Sequence, residues 1–477
     1  MPGSSPGDKN AADGGAPQAA GTAAEMVSAE TLRAAALAHH RRGETSRAAA
    51  LYTKYLMLRP DDATVWSNLG VLMRQSGQRK QSLRFQQRAY RLAPNLRIVR
   101  NNLANALGDS GRNEEAAAFF RELLDEAPDD PDAGWNLGRH LRALGRYDEA
   151  LDVLQAARKR FRGKSQVRLQ LALTQLAAGD YRSGFANYDA RFSTGDVARP
   201  RIDLPRWNGA PLAGKSLLVL REQGLGDSLL CARFLPLLRE QGARVHMVCR
   251  PPVLRLFENS GLADIVSTEV PDLSGYDMWT SMFDLPRHYF RTEAAPPAPA
   301  EFNVPQVSRD RAQALLSNAG DDLRIGVVWS GSVTYKANHL RAFGHEAFLP
   351  LADLDGVRLY SLYKGPLLKE YFEDASNAVL IDTASNDADL ADCAATIEQM
   401  DLVITADTAT AHLAGSLGKE VWNLLHWDPF WLYGHHGDRT PWYRSMRLYR
   451  QRRPMDWDGV FAQVRRDLFS RLVGTQE

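Results

Sequence analysis

The chain has 477 residues, 44% hydrophobic and 24% charged, the balance of a protein that can bury ordinary cores. Lys and Arg number 58 against 57 Asp and Glu, so a formal net charge of +1 offers no electrostatic reason to expect nucleic acid or an anionic membrane as partner. Cys231, Cys249 and Cys393 are too scattered for a disulfide framework or a zinc cluster and read as small buried hydrophobes in a reducing compartment. No run approaches the ~18–20 apolar residues of a membrane span. The first 25 residues lack the basic leader and apolar stretch of a secretory signal, so the expected location is cytoplasmic. Residues 1–27, rich in Ala, Gly, Pro and Ser, would order at an entropic cost with nothing buried in return, and predict a disordered tail.

A repeat follows. Gly43, Gly77, Gly111, Gly145 and Gly179 recur every 34 residues. Each has a small residue seven places before it (Ala36, Gly70, Ala104, Gly138, Ala172) and another five after it (Ala48, Ser82, Ala116, Ala150, Gly184). Leu69, Leu103, Leu137 and Leu171 precede four of the first set, and Pro60, Pro94 and Pro128 close three units. The fourth unit departs, with Arg162 in the proline place and Trp135 one position later than Trp66 would predict. Small residues let two antiparallel helices approach, glycine turns between them, and proline marks the exit. Residues 28–192 thus resemble tetratricopeptide repeats, which implies a helical superhelix with a concave surface for a peptide or partner protein.

The segment 193–213, rich in Pro, Gly and Arg, reads as a linker. Beyond it, β-rich runs alternate with helix-length stretches. Strands are expected at 216–220, 244–249, 263–267, 323–329, 357–363, 379–382, 401–405 and 421–425. Such alternation predicts parallel sheets built from βαβ units. With a further connector over 292–305, it gives two α/β lobes, 214–305 and 306–477.

Three segments could carry chemistry. In 217–238 a strand runs into a turn with Gly224 and Gly226, then a helix opening at Asp227. Ligands in open α/β sheets sit beyond the carboxyl ends of strands. Asp227 there reads either as a proton acceptor for a substrate hydroxyl or as an N-cap. In 401–425 a strand leads to Asp407, Thr408, Ala409 and His412 at the start of a small-residue helix. That arrangement suits an anion such as a diphosphate, His412 either donating to it or packing against the sheet. In 324–343 a strand ends at Trp329, and Ser330, Lys336 and Arg341 follow on a loop that suits phosphate or a polar surface. The stretch 426–443, dense in histidine, tryptophan and tyrosine, lacks metal-ligand spacing and reads as a cleft-lining loop or a packed subdomain. Asp387 and Asp389 read as a helix start.

REQGLGD, GVVWSGS with Lys336 and Arg341, ADTATAHLAGSLGK and PWYRSMRLYRQ, in that order, resemble the family 9, heptosyltransferase-type glycosyltransferases over about residues 180–465. They are more similar still to bacterial proteins in which such a domain follows tetratricopeptide repeats. The resemblance implies a GT-B fold of two Rossmann-like lobes, inversion without a metal or other cofactor, and a nucleotide-sugar donor held mainly by the carboxy-terminal lobe. By the same resemblance, Asp227 matches the general base. Asp407, Thr408, Ala409 and His412 match the donor phosphate loop, and Ser330 and Lys336 the second donor loop. Gly224 and Gly226 are expected to bind the donor, and Gln223, Trp329 and Arg341 are candidate donor or acceptor contacts. Ala409 stands where heptosyltransferases often have glycine, and the amino-terminal lobe is shorter than theirs, so their acceptor does not carry over. The resulting expectation is a glycosyltransferase whose acceptor is a protein, flagellin-like, selected by the repeats. The alternatives are a cell-surface glycan or glycolipid as acceptor, or a non-enzymatic repeat scaffold with a degenerate transferase domain.

Overall fold

The computed structural model describes residues 28–195, 197–317, 320–335 and 337–474. The tail expected over 1–27 and the candidate phosphate ligand Lys336 lie outside the described residues. The chain divides into two compact units, Met1–Ala106 and Leu107–Glu477, and the division falls inside the helix Arg97–Gly108 rather than at the end of the repeats.

The first unit holds the hairpins Ala29–Arg41 with Thr45–Leu58 and Ala63–Gln75 with Arg79–Leu92. Gly43 and Gly77 turn between the paired helices at φ +73° and +75°, the left-handed region that favours glycine. The small-residue rule has a visible cause: a Cβ on Gly70 would stand 2.5 Å from Gln86 Nε2. Gln86 is buried there because its amide donates to the Ser67 carbonyl while its oxygen accepts from Ser67 Oγ, each at 2.9 Å.

The second unit continues the repeats as Asn113–Glu126, Pro131–Ala143, Tyr147–Arg160, Ser165–Ala177 and Tyr181–Asn187, closed by a 3-10 turn at Tyr188–Ser193. Two sheets follow. In the first, β1 (Ser216–Leu220), β2 (Arg244–Val248), β3 (Ile265–Ser267) and β4 (Met278–Ser281) lie parallel in the order β3-β2-β1-β4. In the second, β5 (Leu323–Val328), β6 (Val357–Ser361), β7 (Leu380–Asp382), β8 (Leu402–Ala406), β9 (Val421–Leu425), β10 (Arg439–Thr440) and β11 (Tyr443–Arg450) take the order β10-β11-β9-β8-β5-β6-β7. Every pair in it is parallel except β10 with β11. The eight expected strands all form, some a residue or two shorter at an end. Strands β4, β10 and β11 go beyond the expected set; in Tyr443–Arg450 the buried Tyr443, Met446, Leu448 and Tyr449 line the sheet.

The segment 193–213 is not a free tether. Trp207 N donates to the Trp279 carbonyl at 2.7 Å, Trp279 N to the Pro205 carbonyl at 3.0 Å, and Trp207 and Leu212 are buried. Both sheets switch direction of winding beside their first strand. The chain passes from β1 outward to β3 and returns as β4, and from β5 outward to β7 and returns as β8. In open α/β sheets the crevice at such a point, outside the carboxyl ends of the strands, is where ligands fit. Among the described residues no helix is long and apolar enough to cross a membrane.

Candidate functional site

The two switch points carry the segments singled out above. At the first, β1 ends at Leu220 and the helix Leu225–Cys231 begins five residues later. The two glycines do not make this turn. Gln223 does, at φ +60°, whereas Gly224, the N-cap residue, sits at φ −91°. Asp227 is therefore not the N-cap but the third helical residue, and its Oδ2 accepts the Gly224 N–H at 2.7 Å. Gly226 serves contact: a Cβ there would stand 2.9 Å from His412 Cδ2 and 3.4 Å from Ala409 Cα. The helix bearing Asp227 thus lies directly against the helix Ala409–Ser416 that follows β8.

At the second switch point β8 ends at Ala406, Asp407 follows, and Thr408 is the N-cap residue. The Thr405 and Thr408 hydroxyls are 3.1 Å apart, and Tyr433 donates to Asp407 Oδ1 at 3.2 Å. Asp407 is thus bonded to Tyr433 rather than capping the helix. His412 is buried, its Nδ1 paired with the Tyr443 hydroxyl at 3.1 Å. Burial, reinforced by Arg233 and Arg341, pushes its pKa down to about 3. His412 is accordingly neutral at pH 7, packed against the sheet through Tyr443; it brings no positive charge to an anion.

The loop after β5 corrects two expectations. Trp329 is 1% exposed, its ring 4.6 Å from that of Tyr363 and 5.6 Å from that of Tyr371, so it is a core residue and not a ligand contact. Ser330 is also buried, with its hydroxyl accepting from Asn338 Nδ2 at 3.0 Å. Its hydroxyl braces the loop. Asn338, which sequence reasoning missed, ties this loop together: its Oδ1 accepts from Gly331 N and from Arg341 Nε, each at 3.2 Å. Arg341 spreads over the Tyr335 ring at 4.6 Å and is the cation felt by Asp227, Asp407 and His412 alike.

Among the described residues, three acids, Asp227, Asp407 and Glu222, and the Arg341 guanidinium therefore set the local field. Burial, with Asp407 and Glu222 as further negative neighbours, pushes Asp227 up to about 7, against the Gly224 N–H and Arg341. Asp407 is raised by burial too, with Arg341 and Tyr433 opposing. Asp227 is nonetheless partly open to solvent.

The aromatic stretch 426–443 divides in two. Trp431, Tyr433, Trp442 and Tyr443 are buried, with Trp442 Nε1 donating to the Tyr181 hydroxyl of the last repeat at 3.0 Å. His426, Trp427, His435 and His436 instead line a cavity of about 460 Å³ shared with the repeat turns around Gly111 and Leu144. A Cβ on Gly111 would stand 2.7 Å from Pro454 Cβ, and one on Gly145 3.0 Å from His435 Cβ. His435 is held between Tyr147, at 2.7 Å from Nδ1, and the Ala143 carbonyl, at 3.1 Å from Nε2. Of the acidic pair beyond β7, Asp389 caps a helix by accepting Ala391 N at 2.8 Å, but Asp387 is buried against Arg311 at 2.7 Å.

The tetratricopeptide-repeat profile matches residues 109–176. The chain carries tetratricopeptide repeats. Protein FlbA of Caulobacter vibrioides (strain ATCC 19089 / CIP 103742 / CB 15) is 26% identical over 447 residues, covering 87% of this chain and 74% of that protein. Among solved structures, YrrB, described as a TPR protein with an unusual peptide-binding site, aligns with a TM-score of 0.31 at 19% identity, over 36% of this chain and 89% of its own. MamA from Desulfovibrio magneticus RS-1 aligns with a TM-score of 0.32 at 14% identity, over 35% of this chain and 93% of its own.

Proposed function

We propose that the chain is a GT-B glycosyltransferase that moves a sugar from a nucleotide-sugar to an acceptor hydroxyl with inversion, on a protein acceptor held by the repeats. One observation carries the reading. The Asp227 helix and the helix opening at Thr408, each at the switch point of its own parallel sheet, touch through Gly226. In this reaction the acceptor hydroxyl gives its proton to the Asp227 carboxylate while its oxygen bonds to the anomeric carbon. The bond from that carbon to the diphosphate oxygen breaks, and a nucleoside diphosphate leaves. A base with a pKa of about 7 is well matched to neutral conditions, where positioned proton transfer contributes about 10²–10⁴ in rate. The opening of the 409–416 helix offers partial positive charge to the leaving diphosphate, and Arg341 a full one. Asp407 has the wrong sign for a phosphate ligand; it fits the role of holding the turn through Tyr433.

The assay is release of nucleoside diphosphate from UDP-, ADP- and GDP-sugars by the purified full chain, with Asp227→Asn alongside. The expected result is turnover of one donor class, reduced at least about 10²-fold in the variant. Equal rates for both proteins would remove Asp227 from the role. No turnover and no thermal shift with any donor would leave the repeats as the protein's working part.

A further inference from the structure

The turn that closes the last repeat reaches into the β1 switch point. Arg191, from the 3-10 turn Tyr188–Ser193, is buried there and donates to both carboxylate oxygens of Glu222, Nε at 2.6 Å and Nη2 at 2.8 Å. The same guanidinium reaches Asp284 Oδ1 at 3.0 Å, and Arg206 donates to both oxygens of Asp284 while pairing with Asp189 at 2.7 Å. Glu222 also accepts the Ser281 hydroxyl from the end of β4. Glu222 is thus fixed on every side, and it is the residue immediately before the left-handed Gln223.

Gln223 is fixed as well. Its Nε2 donates to Glu222 Oε1 at 3.1 Å and to the Tyr188 hydroxyl at 3.2 Å, and its carbonyl accepts from Arg250 at 2.8 Å. A non-glycine residue at φ +60° carries a backbone cost that its surroundings have to meet. The next N–H, that of Gly224, is the one that holds Asp227 Oδ2. A continuous chain of short contacts therefore runs from the repeat cap through Glu222, Gln223 and Gly224 to the candidate base.

We infer that Arg191 and Tyr188 are positioning residues for Asp227, so that the cap of the repeat array is a working part of the reaction centre and not only a support for the acceptor arm. The inference rests on the proposed transferase reading for its consequence in catalysis. Among the described residues, the charged and titratable groups that face Asp227 are Glu222 just past β1, Asp407 from beyond β8, Arg341 and Tyr335 from the loop after β5, Cys231 from its own helix, and Tyr188 from the cap. Arg341 and the Gly224 N–H favour the ionised carboxylate; the two acids oppose it. Loosening the turn withdraws the Gly224 N–H, so the acid limb of activity moves to higher pH.

The test uses the full chain carrying Tyr188→Phe or Arg191→Lys. The first removes one hydroxyl and keeps the ring; the second keeps the charge but cannot grip both oxygens of Glu222. With whichever nucleotide-sugar the wild type turns over, kcat is expected to fall about 5-fold in Y188F, the rate equivalent of one ordinary hydrogen bond, and further in R191K. The acid limb should shift upward in both, with donor KM within about twofold of wild type, as expected when an interaction serves the transition state. Unchanged kcat, or a fall with the pH midpoint unmoved, overturns the inference, since the latter is mere loss of folded protein. If the wild type turns over no donor, the transferase reading fails by itself. Hydrogen exchange then decides: R191K should speed exchange of amides 222–228 while leaving 131–160 unaltered, and equal protection of 222–228 in both proteins refutes the coupling.

Discussion

The two strand-to-helix turns that meet at Gly226 solve the same geometric problem by opposite means. The turn after β8 is assembled from its own neighbourhood: Thr405 against Thr408, small residues through the helix, Tyr433 and Tyr443 from the segment that follows in the same sheet. The turn after β1 is held from elsewhere, by Arg191 of the repeat cap, Arg206 of the connector and Asp284 beyond β4. A turn built from local residues announces itself in the sequence. One held by remote charges does not.

The contrast can be broken most forcefully at Glu222. Glu222→Gln leaves Arg191 buried with half its partner set and should cost about 3–5 kcal/mol in urea unfolding. Thr408→Ala in the other turn should cost less than about 1 kcal/mol, because Thr408 makes no side-chain cap bond. Comparable losses would mean that both turns depend equally on their surroundings. Gly226→Val drives a branched side chain against His412 and Ala409; about 1–3 kcal/mol is expected for such overpacking, with both turns disturbed together.

A finer cut separates two roles of the repeat glycines. Gly77→Ala should cost about 1–2 kcal/mol for its left-handed backbone alone, as open space surrounds it. Gly111→Ala should cost ~1–3 kcal/mol more, because the new methyl meets Pro454 and Trp427. Thermal melts of the two variants side by side decide the matter. Smallest is the effect of Asp227→Asn on folding. The folded-state carboxyl is raised from 3.8 to about 7, so ionising it above that pH works against the fold. The neutral amide should therefore stabilise by on the order of 1 kcal/mol at pH 8, and the gain should fade as pH falls through about 7 and vanish below 3.8, where folded and unfolded chains are both protonated. A gain that grew at low pH would have the wrong sign for this mechanism.

What the sequence displayed and what it hid follow from the same physics. The 34-residue period was legible because each small residue and each turning glycine repeats a local steric demand. Eight strands were legible from apolar runs, while three were not: β4 has only Met278 and Trp279 as large apolar residues, β10 is two residues long, and β11 carries Arg444, Arg447 and Arg450 among its eight. Asp227, Thr408 and Arg341 could be picked out from strand-end loops. The errors at Trp329 and Ser330 arose because burial is a property of the folded whole: a tryptophan one residue past a strand can point into the core as readily as into a crevice. Asn338 carried no signal beyond an ordinary loop asparagine, and Arg191 looked like one surface arginine among many until its partners, 31 and 93 residues away, closed around it.

The way the repeat turns lock onto the loops around His435 and Pro454 has a practical corollary for anyone who would shuffle this architecture. An excision after the 3-10 turn Tyr188–Ser193 would strip the sheets of Tyr147, Tyr181 and Arg191, opening the indole of Trp442 and two buried acids to water. The hairpins before residue 107 form a compact unit of their own and are the exchangeable cassette. A chimera that seeks a new client should be spliced upstream of residue 107, with the later hairpins inherited intact.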